Sequence, residues 1–206
     1  MLGMKKKDEE FAVDYREKNA YIKIAKNLKK TLPGNKEITF LCIGTDRVLI
    51  DIFGPLVGTL LKESGIKNVL GVIGQPVHAV NLSGVVCKIP QDHFIVAVDA
   101  MAGKAENLGK LKIRKGKCYP GSGVNKKLVS IGDLSISLNV AVEYRGKLHL
   151  SASPQLIWCG AKLIADVIVR TIHGAGEYRP FFNRPVTISQ QLIPQGYWQV
   201  LFKQVH

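Results

Sequence analysis

Asp51 and Asp99 are the two residues whose surroundings best suit them to chemistry. Asp51 lies in Ile43-Gly44-Thr45-Asp46-Arg47-Val48-Leu49-Ile50-Asp51-Ile52-Phe53-Gly54-Pro55, and Asp99 closes Phe94-Ile95-Val96-Ala97-Val98-Asp99-Ala100. Each is read as standing where a buried apolar strand gives way to a loop or helix. A run such as Phe94–Val98 wants both faces covered, which predicts a central parallel strand. In open α/β sheets, ligands bind in the crevice beyond the carboxyl ends of the strands. Two carboxyl groups meeting there can split into an acid and a base, since like charges at close range push their pKa values apart.

Both positions also have a plainer explanation, and the residues alone leave it open. Asp51 can cap the helix that follows, because Asp is a favoured N-cap. Asp99 can satisfy backbone donors in a turn. Two loops add candidates. His78 lies in Gln75-Pro76-Val77-His78-Ala79-Val80-Asn81-Leu82, and is read first as a hydrogen-bonded loop histidine. Pro120-Gly121-Ser122-Gly123 must turn tightly, because glycine supplies the positive φ values that such loops demand. The backbone N–H groups over Gly121–Gly123 suit a substrate carbonyl or a developing oxyanion. Ser122 is small enough to stand between glycines, and Lys126 can attract an acidic peptide. Asp46 is expected to pair with Arg47 or a loop N–H.

Familiar motifs are missing. Gly103 and Gly109-Lys110 echo a phosphate-binding loop, but Leu111 stands where a Ser or Thr would hold magnesium. Neither Gly-x-Gly-x-x-Gly nor His-Glu-x-x-His occurs, and Gly121-Ser122-Gly123 lacks the nucleophile-elbow pattern. Kinases, α/β-hydrolases, dinucleotide enzymes and zincins lose their main support. Cys42, Cys87, Cys118 and Cys159 form no Cys-x-x-Cys pair, so neither a zinc cluster nor a disulfide framework is expected. No metal or other cofactor is expected.

The elements that must position these residues follow from periodicity. Tyr21, Ile24, Ala25, Leu28 and Leu32 recur at helical spacing before Pro33-Gly34, which predicts a basic amphipathic helix over residues 18–32, docked or flexible. Ile38–Ile43 gives a first strand, Phe53–Glu63 a helix with Pro55 in its first turn, and Asn68–Ile73 a second strand. Phe94–Val98 is the third, and Lys110–Arg114 alternates like a strand with one exposed face. Leu156, Leu163, Ile164, Val167, Ile168 and Ile172 form a helical stripe, with Ser153 as cap, Pro154 in the first turn and Gly174 as stop. The pattern divides the chain into a basic extension (1–36), an α/β domain (37–174) and a C-terminal extension (175–206).

Composition bounds the partners. The chain has 206 residues, enough for a sizeable core, and no apolar run approaches the ~18 residues of a membrane span. Residues 1–10 show no export signal, so a cytoplasmic location is expected. The net charge of +13 is concentrated in residues 1–36, with ten Lys/Arg against five acids, and in residues 104–127, with eight against one. Aromatic residues are not interleaved with these cations, so a solvated basic surface or an acidic partner is favoured over nucleic acid.

Gly44-Thr45-Asp46-Arg47, Asp51 with Phe53-Gly54-Pro55-Leu56-Val57-Gly58-Thr59, Pro76–Leu82, Val98-Asp99-Ala100 and Pro120–Lys126 occur together and in order. On these motifs residues 38–172 resemble the YyaC family of bacterial sporulation proteins. That family is similar to the spore germination protease and, more distantly, to the hydrogenase maturation proteases. The resemblance implies a three-layer α/β/α, mostly parallel, phosphorylase/hydrolase-like sheet. It implies that Asp51 and Asp99 match a catalytic aspartate pair, with small acid-soluble spore proteins as the substrate class. In the hydrogenase proteases the corresponding acids and a histidine contact nickel, which would require His78 to converge on both aspartates. The expected function is an aspartate-dependent peptidase of a sporulating cell, the alternative a non-catalytic protein binding a protein or peptide in the same crevice. A peptidase of this kind is restrained by a pro-segment or by homo-oligomerisation, and residues 1–36 suit the former.

Overall fold

A computed structural model describes residues 10–119, 130–149 and 152–174. Its strands are β1 (Glu10–Asp14), β2 (Ile38–Cys42), β3 (Val69–Leu70), β4 (Phe94–Gly103), β5 (Lys110–Lys115), β6 (Leu134–Tyr144) and β7 (Lys147–His149). The helices are α1 (Ala20–Thr31), α2 (Phe53–Glu63), α3 (Leu82–Val86) and α4 (Pro154–His173). The strands form one sheet in the order β1-β5-β6-β4-β2-β3, with β7 paired to β6. Neighbours β6, β4, β2 and β3 run parallel, whereas β1–β5, β5–β6 and β6–β7 are antiparallel. The sheet is therefore mixed, with a parallel half around the expected crevice.

Helices α1, α2 and α4 cover one face. Leu134, Ile136, Leu138 and Val140 of β6 and Val96 and Val98 of β4 point into this larger core, where they meet Phe53, Val57, Ile157, Ile164 and Ile168. Helix α4 forms as its sequence indicates: the Ser153 hydroxyl accepts from the Leu156 N–H at 3.1 Å, Pro154 occupies the first turn, and Gly174 at φ 77° stops it. The opposite face is covered over β2 and β4 by Leu82 of α3 with Val77 and Cys118, against Leu41, Ile43 and Ala97. Helices on both sides of a central sheet make the expected α/β layers.

Of the two arrangements open to the N-terminal helix, the structure has the docked one. Ala20, Ile24 and Leu28 are fully buried, and β1 is hydrogen-bonded to β5 along its whole length. Residues 10–31 thus share the core of the α/β domain. The strand expected over Asn68–Ile73 shortens to Val69–Leu70, because Gly71 at φ 87° and reciprocal Val72–Gln75 hydrogen bonds turn the chain away. Among the described residues, no helix is long and apolar enough to cross a membrane.

Candidate active site

Strand β2 ends at Cys42, paired with Val98 of β4, and the Ile43 N–H donates to the Val98 carbonyl at 2.7 Å. The chain leaves β2 through α2 to β3 on one side, and β4 later enters on the other. The connections diverge between β2 and β4, and such a switch point opens a crevice at the carboxyl ends. Asp99 is the first β4 residue beyond the end of β2.

Here the structure corrects the expected strand boundary. β4 does not give way at Asp99 but continues to Gly103, with Asp99 paired to Ser137 of β6. Losing β2 on one side does not end the strand, because β6 still satisfies the ladder on the other. Asp99 is therefore no turn residue.

Asp51 closes a 3-10 turn, Leu49–Asp51, whose backbone folds back on the end of β2: the Thr45 N–H donates to the Asp51 carbonyl at 3.1 Å. Gly44, at φ 140°, makes this approach possible, since a Cβ there would strike the Asp51 carbonyl oxygen. Gly54 does the same for the start of α2, where a side chain would strike the Ile43 carbonyl. The N-cap of α2 is Ile52, with no side-chain cap hydrogen bond, so the capping explanation for Asp51 does not hold. The half-buried Asp51 carboxyl lies near enough to Asp99 for its charge to raise the Asp99 pKa.

Their environments differ in degree. Burial pushes the Asp99 pKa up from 3.8 to about 8, the Asp51 charge raises it further within that value, and the Ala100 N–H opposes them. Asp51 is also raised by burial, but the Thr45 N–H and His78 pull it back. At neutral pH the deeper Asp99 holds a proton. His78 is fixed by its own loop: its backbone N–H donates to Asn81 Oδ1 at 2.8 Å, and its ring Nδ1 accepts from the Val80 backbone N–H at 3.3 Å. In the neutral ring this assigns the proton to Nε2. Asp46 accepts from the Gly74 N–H at 2.9 Å, the loop role expected of it.

Cys118 is a neighbour that sequence reasoning missed. Its Sγ lies 4.0 Å from Asp99 Oδ2, and burial together with Asp99 pushes the thiol up to about 12. It therefore stays a thiol and does not act as a thiolate nucleophile. Its one sequence signal was its place two residues before the Pro120 loop. Of the expected site residues, Asp51, Asp99 and His78 are brought into one electrostatic cluster, while Gly121, Ser122, Gly123 and Lys126 lie outside the described residues. Among the described residues, no group of three or more His, Cys, Asp or Glu side chains is arranged to hold a metal ion.

A mixed α/β sheet of this order, with helices on both faces, is a protease-like fold. It matches the NiFe hydrogenase maturation protease HycI from Thermococcus kodakarensis KOD1 with a TM-score of 0.50, over 71% of this chain and 99% of that one, at 21% identity. The chain itself belongs to the family described as "Protein of unknown function (DUF1256)", whose model matches residues 12–165 and so begins inside β1. A relative in Bacillus subtilis (strain 168), the uncharacterized protein YyaC, is 40% identical over 119 residues. That match takes in 55% of this chain and 57% of the relative's length.

Proposed function

We propose that the chain is an aspartate-dependent peptidase. The observation that carries this reading is the unequal carboxyl pair at the switch point: Asp99, first on β4 beyond the end of β2 and raised to about 8 by burial and by the Asp51 charge, with a less buried Asp51 nearby. In this scheme the ionised Asp51 takes a proton from water as the water oxygen attacks the peptide carbonyl carbon. Protonated Asp99 donates to the carbonyl oxygen as negative charge develops there. As the C–N bond breaks, the proton held by Asp51 passes to the leaving nitrogen, and Asp99 takes back from the carbonyl oxygen the proton it gave as the carbonyl re-forms. The nearby His78 favours the ionised state of Asp51.

The resemblance to the spore germination protease, read from the motifs around both aspartates, supports a role in sporulating cells with small acid-soluble spore proteins as substrate. The test is incubation of such a protein with wild type, Asp51→Asn and Asp99→Asn, with products identified by mass. Both variants should fold and neither should cleave. Cleavage by both folded variants would remove the carboxyl pair from the mechanism.

A further inference from the structure

Asp99 is the inner end of a row of side chains that crosses the sheet. Pairing sets Asp99 of β4 beside Ser137 of β6, Ser137 beside Lys112 of β5, and Lys112 beside Ala12 of β1. Directly paired residues present their side chains to the same face. Their sequence neighbours Val98, Ile136, Leu138, Leu111, Ile113 and Val13 point into the core beneath the helices, so the row lies on the other face. Exposure rises outward along it: Asp99 is buried, Ser137 and Lys112 are half-buried, and Ala12 is exposed. The row forms a floor leading from solvent to the carboxyl pair.

Its spacing and charge suit a particular occupant. Strands lie about 4.8 Å apart, so Lys112 stands about 10 Å from Asp99, or about three residues of extended chain at ~3.3 Å each. Lys110 and Arg114 flank Lys112 on the same face. Lys112 Nζ is held by Glu10 Oε1 at 2.9 Å, with side chains 24% and 46% exposed. A partly exposed pair of this kind is weak, its Glu10 end being open to solvent, and an incoming carboxylate can take the place of Glu10.

We propose that Ser137 and Lys112 form a substrate subsite. An extended acidic polypeptide lies across β6 and β5, with a carboxylate on Lys112 about three residues from the peptide bond held between Asp51 and Asp99. The subsite rests on the peptidase reading for the position of that bond. A polypeptide is favoured over single-stranded nucleic acid because such strands are held by successive aromatic platforms. Among the described residues this side offers Tyr119, over which the Arg114 guanidinium already lies at 5.6 Å. The carboxyl pair at the inner end also repels a phosphate.

The test uses peptides carrying one Glu stepped residue by residue from the cleaved bond, each with a Gln counterpart. Binding is followed by fluorescence anisotropy on the Asp51→Asn protein, and cleavage on the otherwise unaltered chain. Glu about three residues away should bind about fivefold more tightly than Gln. Lys112→Gln should erase that preference, and Glu10→Gln, which frees Lys112, should enlarge it. A preference independent of Glu position overturns the subsite. So does Glu10→Gln copying Lys112→Gln, since lost β1–β5 pairing would then be the cause. Displacement of the peptide by a mixed-sequence single-stranded oligonucleotide, dependent on Lys112, overturns it in favour of nucleic acid. Positional preference in binding with no cleavage of any peptide supports the subsite and overturns the peptidase reading. Cleavage without the preference does the reverse.

Discussion

The two faces of β6 show how one strand serves two purposes. Leu134, Ile136, Leu138 and Val140 point beneath α4 and are fully buried among apolar groups, with Leu138 packed against Gly160. Between them, Ser135, Ser137 and Asn139 point to the side that carries Asp99. The alternation is the ordinary two-residue period of a strand. Stability is concentrated on one face, which leaves polar groups and a protonated buried carboxyl on the other. Retaining Asp99 there costs stability that the helix-covered face supplies.

The largest effect that separates the faces is on rate. Asp51→Asn and Asp99→Asn should each lower kcat by about a thousandfold, within the range for losing a general acid or base, while circular dichroism and the melting transition remain those of a folded protein. Loss of the fold in either variant would mean that the polar face is structural after all. On the opposite face, Leu138→Ala should cost about 3 kcal/mol in urea unfolding, because it opens a cavity against Gly160. At the preceding residue, Ser137→Ala should change stability by less than about 0.5 kcal/mol. Equal costs at these adjacent positions would erase the distinction between the faces.

A smaller effect follows from the proton on Asp99. Its native pKa of about 8 lies above the ordinary 3.8, so between these values the folded protein keeps a proton that the unfolded chain releases. The stability associated with that proton is fully present below about pH 4 and is lost as pH rises to about 8. Asp99→Asn removes the ionisation, so the variant should gain on wild type steadily as pH rises through this window. Urea unfolding at a series of pH values checks the sign. A constant difference from pH 4 to 8 would mean that Asp99 ionises normally in the folded protein.

Much of this arrangement was legible because single residues announce it. Pro55 and Gly54 mark the start of α2, Ser153 and Gly174 bracket α4, and Phe94–Val98 has the composition of a central strand. Other elements were hidden by competing signals. β1 is five residues with acids at both ends and reads as part of a charged terminus, though its Val13 is buried and its pairing with β5 is complete. β6 does alternate, but its serines and Asn139 carry no motif that draws the eye. The end of β4 could not be read locally, because it depends on β6 extending beyond β2. Within the site, Asp99 was marked by the strand it belongs to. Asp51, expected at the end of a buried strand, instead closes a 3-10 turn nine residues beyond β2, after the exposed Val48 and Leu49. Cys118 was not marked, since only the folded chain brings residues 99 and 118 together.

That contact supports the smallest effect, and the one that tests the site most closely. The Cys118 thiol is a weak hydrogen-bonding group 4.0 Å from Asp99 Oδ2. Cys118→Ser replaces it with a stronger donor, which favours the ionised carboxylate and should lower the Asp99 pKa. The alkaline limb of a pH–rate profile, set by loss of the Asp99 proton near pH 8 in wild type, should then move to lower pH. Cys118→Ala removes the partner and leaves a more apolar wall, so its limb should move the other way. At the optimum each variant should lose less than about tenfold in kcat, because neither removes the acid or the base. Opposite shifts would identify Asp99 as the group behind that limb without altering Asp99 itself. Coincident profiles for all three proteins would mean that another group sets the limb, and the assignment of the proton to Asp99 would fall.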